Sequence, residues 1–296
     1  MPVKEWIDDK SVLFEIGKIT KNREVYVHLI GGKAPKRKLY ASGSKQIGYI
    51  VNRLFSKNEG MKIGICSNVI DFKKLNPPLL KDMFSSDWYV WERAVYKPNI
   101  GNPDIYVGKN LIWDIDAEGE PMKAFYQGEK VCAHLKGLGF DPMMVFSGSK
   151  GFHVWLNENQ STLLVGDTFS DFKEDNAKFL AKAYCKIVTS VFEESTGDIF
   201  RSADLTPVER QGIIACPYSI HWKTGQIVWP LDENNLNTLR GLTSDAQPVD
   251  IAKAIHTQSN GNLWKTDLEF TDELLYFPPC HTVSKRGMPL WKGIDG

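Results

Sequence analysis

The chain has 296 residues, 42% of them hydrophobic and 24% charged, with 36 basic and 36 acidic side chains and a formal net charge of zero. This is the composition of a globular chain long enough to bury a sizeable core, and a neutral balance excludes broad non-specific coating of nucleic acid, which needs a strongly positive surface. No stretch approaches the roughly 18 apolar residues of a membrane span, and the opening MPVKEWIDDK lacks the apolar core of a secretory signal, so a cytoplasmic chain is expected.

Arg23–Ile30, REVYVHLI, is rich in strand formers. Lys33, Lys36, Arg37, Lys38 and Lys45 then cluster around Gly31-Gly32 and Gly43, as a solvated loop or as a local contact to a template backbone. Ser44 can cap a helix running to about Lys57, with Ile47, Ile50, Val51, Leu54 and Phe55 on its apolar face. Lys62–Cys66 and the aromatic, valine-bearing Trp88–Tyr96 read as strands, and Ile105–Asp116 as strand pieces around a turn at Gly108. Pro121–Leu138 reads as a helix with Val131, Cys132, Leu135 and Leu138 at helical spacing and Gly139 just past its end.

Met143–Ser147 and Phe152–Leu156 are strands joined by a tight turn over Gly148–Gly151, and Trp113 and Trp155 are expected to be buried. Phe169–Thr196 reads as a long helix stopped at Gly197, and Gly212–Cys216 and Gln226–Trp229 as further strands. The order β–α–β–β–α–β is that of a split βαβ sheet, and the fold class is α+β. Past Leu231 no periodicity is legible, and Pro278-Pro279 and Gly287 suggest irregular structure. The five cysteines, Cys66, Cys132, Cys185, Cys216 and Cys280, are scattered without a CxxC pair, as reduced thiols with no zinc site would be.

Three segments carry chemistry. Asp114 and Asp116 are two apart in an apolar run, NLIWDID, so on a strand their carboxylates share one face. Hard divalent cations want oxygen ligands, and Mg²⁺ commonly takes one or two carboxylates plus substrate phosphates. Some thirty residues on, Ser147-Gly-Ser-Lys-Gly-Phe-His153 brings Ser147, Ser149, Lys150 and His153 to one glycine-bearing turn, whose amides and side chains suit phosphate. It lacks the GxxxxGK[ST] spacing of a Walker A loop. In Pro217-Tyr-Ser-Ile-His-Trp-Lys-Thr-Gly225, His221 and Lys223 share a face if extended, and upstream Asp204 or Glu209 can complete a carboxylate set. Tyr218 is a candidate ribose or base neighbour.

Taken together and in this order, DxD, SGxxGxH and PYSxHxKTG resemble the catalytic core of the archaeo-eukaryotic primase superfamily, above all the small catalytic subunit of archaeal primases and the primase-polymerases. The resemblance covers Leu111 to Pro230. It implies an RRM-like antiparallel sheet with helices, packed on an N-terminal αβ module: residues 1–104 the N-terminal module, 105–232 the catalytic module and 233–296 an extension. It implies that Asp114, Asp116 and Glu209 hold two Mg²⁺ or Mn²⁺ ions about 3.5–4 Å apart, with Asp204 as the fallback third ligand. Ser147, Ser149, Lys150 and His153 match the triphosphate-binding hairpin, and His221 and Lys223 the later nucleotide contacts, with Ser219 a helper. Glu209 departs from the Asp usual at its place, and arginines often found before PYS are absent, with Arg210 kept. The zinc knuckle many archaeal relatives insert between the first two motifs is missing, and so is a helicase module.

The implied activity is a template-dependent nucleotidyltransferase, a DNA primase or primase-polymerase using NTPs or dNTPs by two-metal phosphoryl transfer. Its partners would be a single-stranded DNA template, a primer strand and nucleotide, with a large primase subunit or a helicase as further partner. The alternatives are an end-joining repair polymerase of the same superfamily, a non-catalytic nucleic-acid-binding accessory module, and a glycosyltransferase using its DxD for a nucleotide-sugar. The last leaves the second and third motifs unexplained.

Overall fold

The computed structural model describes residues 10–30, 37–41, 60–66, 68–70, 106–117, 119–157, 159–161, 203–204, 212–221 and 224–258. For 10, 27–30, 37–41, 60–66, 68–70, 106–107, 203–204 and 258 it describes the backbone alone. The elements expected over 44–57, 88–96 and 169–196 lie outside these residues.

Helix α1 (Lys10–Thr20) buries Val12, Ile16 and Ile19, which fall on one face at spacings of four and three. It closes where the Thr20 hydroxyl donates to Ile16 O at 2.8 Å, and Asn22, at φ 59°, turns the chain into β1 (Arg23–Ile30). β1 pairs antiparallel with β2 (Arg37–Ala41) and β3 (Gly60–Cys66), so the strands expected over 23–30 and 62–66 are present. β4 (Asn68–Ile70) pairs with β5 (Tyr106–Lys109). The turn expected at Gly108 is not there. Gly108 lies inside β5 opposite Val69, beside a register shift of the kind a residue without a Cβ tolerates, and the chain breaks instead at Asn110-Leu111.

The second sheet has the order β11-β7-β8-β6-β9. Its strands are β6 (Ile112–Asp116), β7 (Met143–Phe146), β8 (Gly151–Trp155), β9 (Ala203–Asp204) and β11 (Trp229–Leu231). β6 and β7 are each antiparallel to β8, which lies between them, so they run parallel to each other. They are joined by α2 (Pro121–Gly137), which makes the split βαβ unit that the sequence order suggested. α2 packs on one face of this sheet, its Phe125 ring 5.4 Å from Phe152, which is itself 5.4 Å from Phe146 across the strand pair. Burying each such side chain stabilises by about 1.5–3 kcal/mol. Ile115 stands opposite Phe152 and shares that face. Alternation therefore turns Asp114 and Asp116 to the other face. Trp113 and Trp155 are buried, as expected.

β10 (Ile213–Ala215) does not join this sheet. It adds to the first, beside β3, in the order β10-β3-β1-β2. The strand expected over 226–229 is displaced: Ile227 bridges Ile220 across a hairpin, and the paired strand is 229–231. Beyond Leu231, where no pattern was legible, come α3 (Glu233–Arg240) and α4 (Pro248–Gln258). Asp232 caps α3, accepting from Asn235 N at 2.8 Å while Asn235 Oδ1 accepts from Asp232 N at 3.2 Å. Arg240 ties α3 to α2 through Glu129, with Nε to Oε1 at 2.7 Å. Among the described residues no helix is long and apolar enough to cross a membrane.

Candidate active site

The position of β6 is fixed from its start. Asn110 Nδ2 donates to Leu156 O at 2.8 Å, and Leu111 N donates to Ser161 Oγ at 2.9 Å. From there Ile112–Asp116 runs antiparallel to β8, with Asp114 opposite His153 and Asp116 opposite Gly151. Asp114 Oδ1 lies 3.3 Å from His153 Nε2, and Asp116 Oδ2 lies 3.1 Å from Lys150 Nζ. Strand register and the turn that precedes β8 thus join the first two motifs, carboxylate to nitrogen. The environments differ: the His153 side chain is 4% exposed and that of Asp114 23%, against 48% for Lys150 and 38% for Asp116.

The turn between β7 and β8 is organised by Ser147. Its amide donates to Gly151 O at 3.0 Å, and its Oγ accepts from Gly151 N at 3.2 Å and Ser149 N at 3.3 Å. These two amides therefore point inward rather than out toward a ligand, as the glycine-bearing turn alone suggested. The hydroxyl of Ser147 keeps its own proton to donate. Gly151 is required by close approach: a Cβ there would sit 2.0 Å from Asp116 Oδ1 and 2.6 Å from Ile115 O. The glycine gives the second carboxylate its place over the β8 backbone.

The third motif forms a turn and a hairpin. Tyr218 adopts φ 65°, a region uncommon for a bulky residue, and is 1% exposed, its ring 6.5 Å from that of Trp229. It is a core residue, and its expected place beside a ribose or base is corrected accordingly. Ser219 is buried too, with its amide donating to Cys216 O at 3.0 Å and its carbonyl accepting from Val228 N at 2.8 Å. His221 N then donates to Gln226 O at 2.7 Å, and Gly225 N to His221 O at 2.9 Å, closing a hairpin. This hairpin packs on the turn between β7 and β8. Gly148, at φ 80°, approaches so closely that a Cβ would lie 2.8 Å from His221 Cβ and 3.1 Å from Gln226 O.

Asp114 contacts His153 and Asp116 contacts Lys150, with Ser147 and Ser149 shaping the intervening turn and His221 packed against Gly148. Asp204, on β9, holds the register position opposite Asp114 on the other side of β6. Glu209, Arg210, Trp222 and Lys223 lie outside the described residues, as do Trp88 and Trp91. Sequence reading passed over Thr224, whose hydroxyl reaches both hairpins. Its only signal was its place in the Lys-Thr-Gly run.

The donor set suits a hard cation. Asp114 and Asp116 are partly open oxygen donors on one sheet face, and a nitrogen of His153 and the ammonium of Lys150 lie against them. Among the described residues no three His, Cys, Asp or Glu side chains are grouped for a metal. Burial pushes the Cys132 thiol up to about 12 and the Cys216 thiol higher still, so neither is a thiolate at neutral pH.

No protein-family model matches the chain, and no curated protein does. Among solved structures it is similar to the polymerase domain of Mycobacterium tuberculosis Ligase D in complex with DNA, with a TM-score of 0.46 and 11% identity, over 86% of this chain and 88% of that one.

Proposed function

We propose that this chain is a template-dependent nucleotidyltransferase of the primase-polymerase kind, adding NTPs or dNTPs to a strand paired with a single-stranded DNA template. The observation that supports it most is the register of β6 against β8. It sets Asp114 beside His153 and Asp116 beside Lys150, so carboxylates of the kind that hold metals and nitrogen groups of the kind that meet phosphate lie side by side.

Asp114 and Asp116 would hold Mg²⁺ or Mn²⁺, with Asp204, at the register position across from Asp114, favoured over Glu209 as third carboxylate. When bound, such ions supply positive charge that eases deprotonation of the attacking hydroxyl and offsets charge on the leaving group. The chain's own residues do the rest by position. Lys150, on a turn fixed by Ser147, donates to triphosphate oxygens, and His153 holds the Asp114 carboxylate oriented across the strand pair. His221 adds a donor or acceptor from the hairpin packed on Gly148. The 3′-oxygen attacks the α-phosphorus, the bond from that phosphorus to the bridging oxygen breaks, and pyrophosphate departs. Catalysis of this kind is positioning plus electrostatics.

The test is direct: purified chain, single-stranded DNA template, labelled NTPs or dNTPs, and Mg²⁺ or Mn²⁺, with and without primer. Template-directed incorporation is expected. Its absence under every combination, from a chain shown to be folded, would sink the proposal. Preference for 5′-phosphorylated gapped ends over open template would redirect it to end joining.

A further inference from the structure

The Thr224 hydroxyl sits at the junction of the two hairpins. It donates to Gly148 O, a bond that spans 76 residues of sequence. It accepts from Gln226 N at 3.2 Å, and it lies 3.2 Å from His221 Nδ1. A hydroxyl has one proton and two lone pairs. A carbonyl oxygen can only accept, so the Thr224 proton is committed to Gly148. The backbone amide of Gln226 can only donate, so it takes one lone pair. The remaining lone pair faces His221 Nδ1, and that contact is a hydrogen bond only if Nδ1 carries the proton.

We infer that Thr224 is a positioning residue that holds His221 in its Nδ1–H form and locks the His221 hairpin onto the phosphate turn. The consequence for substrate rests on the proposed nucleotidyl transfer. With Nδ1 protonated, the neutral ring presents Nε2 as an acceptor, and the protonated ring presents it as a donor. Neutral His221 is thereby suited to a hydroxyl, such as one on a nucleotide sugar, and charged His221 to a phosphate oxygen. The register of the two hairpins adds a second reason for this arrangement. Gly148 has no side chain between its backbone and His221 Cβ, so the carbonyl that receives the Thr224 proton comes within direct reach.

The chain has six histidines, few enough for their imidazole nitrogens to be followed individually after ¹⁵N labelling, with His221 assigned by its loss in His221→Gln. Above the imidazole titration range, wild type and Thr224→Ser should show His221 with the proton on Nδ1. Thr224→Val, which keeps the shape and removes the hydroxyl, should lose that signature. An Nε2–H ring in wild type, or an Nδ1–H ring that persists in Thr224→Val, would overturn the inference. If the valine variant does not fold, the wild-type ring state decides alone. Affinity for a nucleoside triphosphate, measured by titration calorimetry, supplies a separate arm. Thr224→Val should weaken it by about tenfold, with Thr224→Ser close to wild type. Affinity unmoved by His221→Gln would remove His221 from the nucleotide site while leaving the ring-state result standing.

Discussion

Asp114 and His153 oppose each other across β6 and β8, with Oδ1 and Nε2 3.3 Å apart, and the buried Nδ1 of His153 has no hydrogen-bond partner among the described residues. The ring is held on its polar side by the carboxylate. Asp114→Asn keeps the volume and this contact but removes the charge. Nucleotide incorporation should fall by about 10²–10⁴-fold, with the circular dichroism spectrum unchanged and the melting temperature within a few degrees of wild type. Incorporation within tenfold of wild type would remove Asp114 from the site.

Lys150 and Asp116 predict an opposite pair of effects from one change. Their 3.1 Å contact is half exposed, so its net worth is small, about 0.2–1 kcal/mol. Lys150→Gln frees the carboxylate. Manganese binding measured without nucleotide should tighten by up to about fivefold, whereas triphosphate binding should weaken. If both affinities stay where they were, Lys150 is an ordinary surface residue.

Gly151 and Gly139 separate crowding from backbone preference. Gly151→Ala places a methyl 2.0 Å from Asp116 Oδ1, so the carboxylate must move, and activity should drop by at least about tenfold with a stability loss of about 1–3 kcal/mol. Gly139 has φ 87° and open space around it, so Gly139→Ala should cost about 1 kcal/mol and leave activity alone. Denaturant melts and incorporation rates on the two variants check this. A fully active Gly151→Ala would refute the crowding argument.

Asp204 and Glu209 make a third comparison. The backbone of Asp204 pairs with that of Asp114 on β6, and directly opposed positions of an antiparallel pair share a sheet face. Asp204→Asn should therefore abolish incorporation and weaken manganese binding, and Glu209→Gln should do neither. The reverse pattern would return Glu209 to the role that the family resemblance implied.

What was legible in the sequence was local. The strands at 23–30, 143–146 and 151–155 and the helix at 121–137 each have a proline or glycine at or beside an end, and the strand at 112–116 shows as an apolar run carrying two aspartates. α3 did not, because ENNLNTLR is poor in helix formers and its stability leans on the Asp232–Asn235 cap rather than on an apolar stripe. The chemical residues were legible as types, since carboxylates two apart and a glycine-serine-lysine turn carry their own meaning. Their partnerships were not. Which nitrogen group meets which carboxylate follows from the pairing of β6 with β8, and the burial of Tyr218 follows from a left-handed turn against Trp229. The Thr224 contact to Gly148 joins residues that no local window contains.

β10 leaves the sheet that holds the carboxylates and completes the edge of the other one, against β3. A fragment cut to begin near residue 105 would keep every motif and still strand three residues of backbone without their neighbour, an open edge prone to pair with a second molecule. The two halves are stitched by the chain itself. Expressing the motif-bearing half alone should yield aggregates, and co-expressing the first hundred residues should restore solubility.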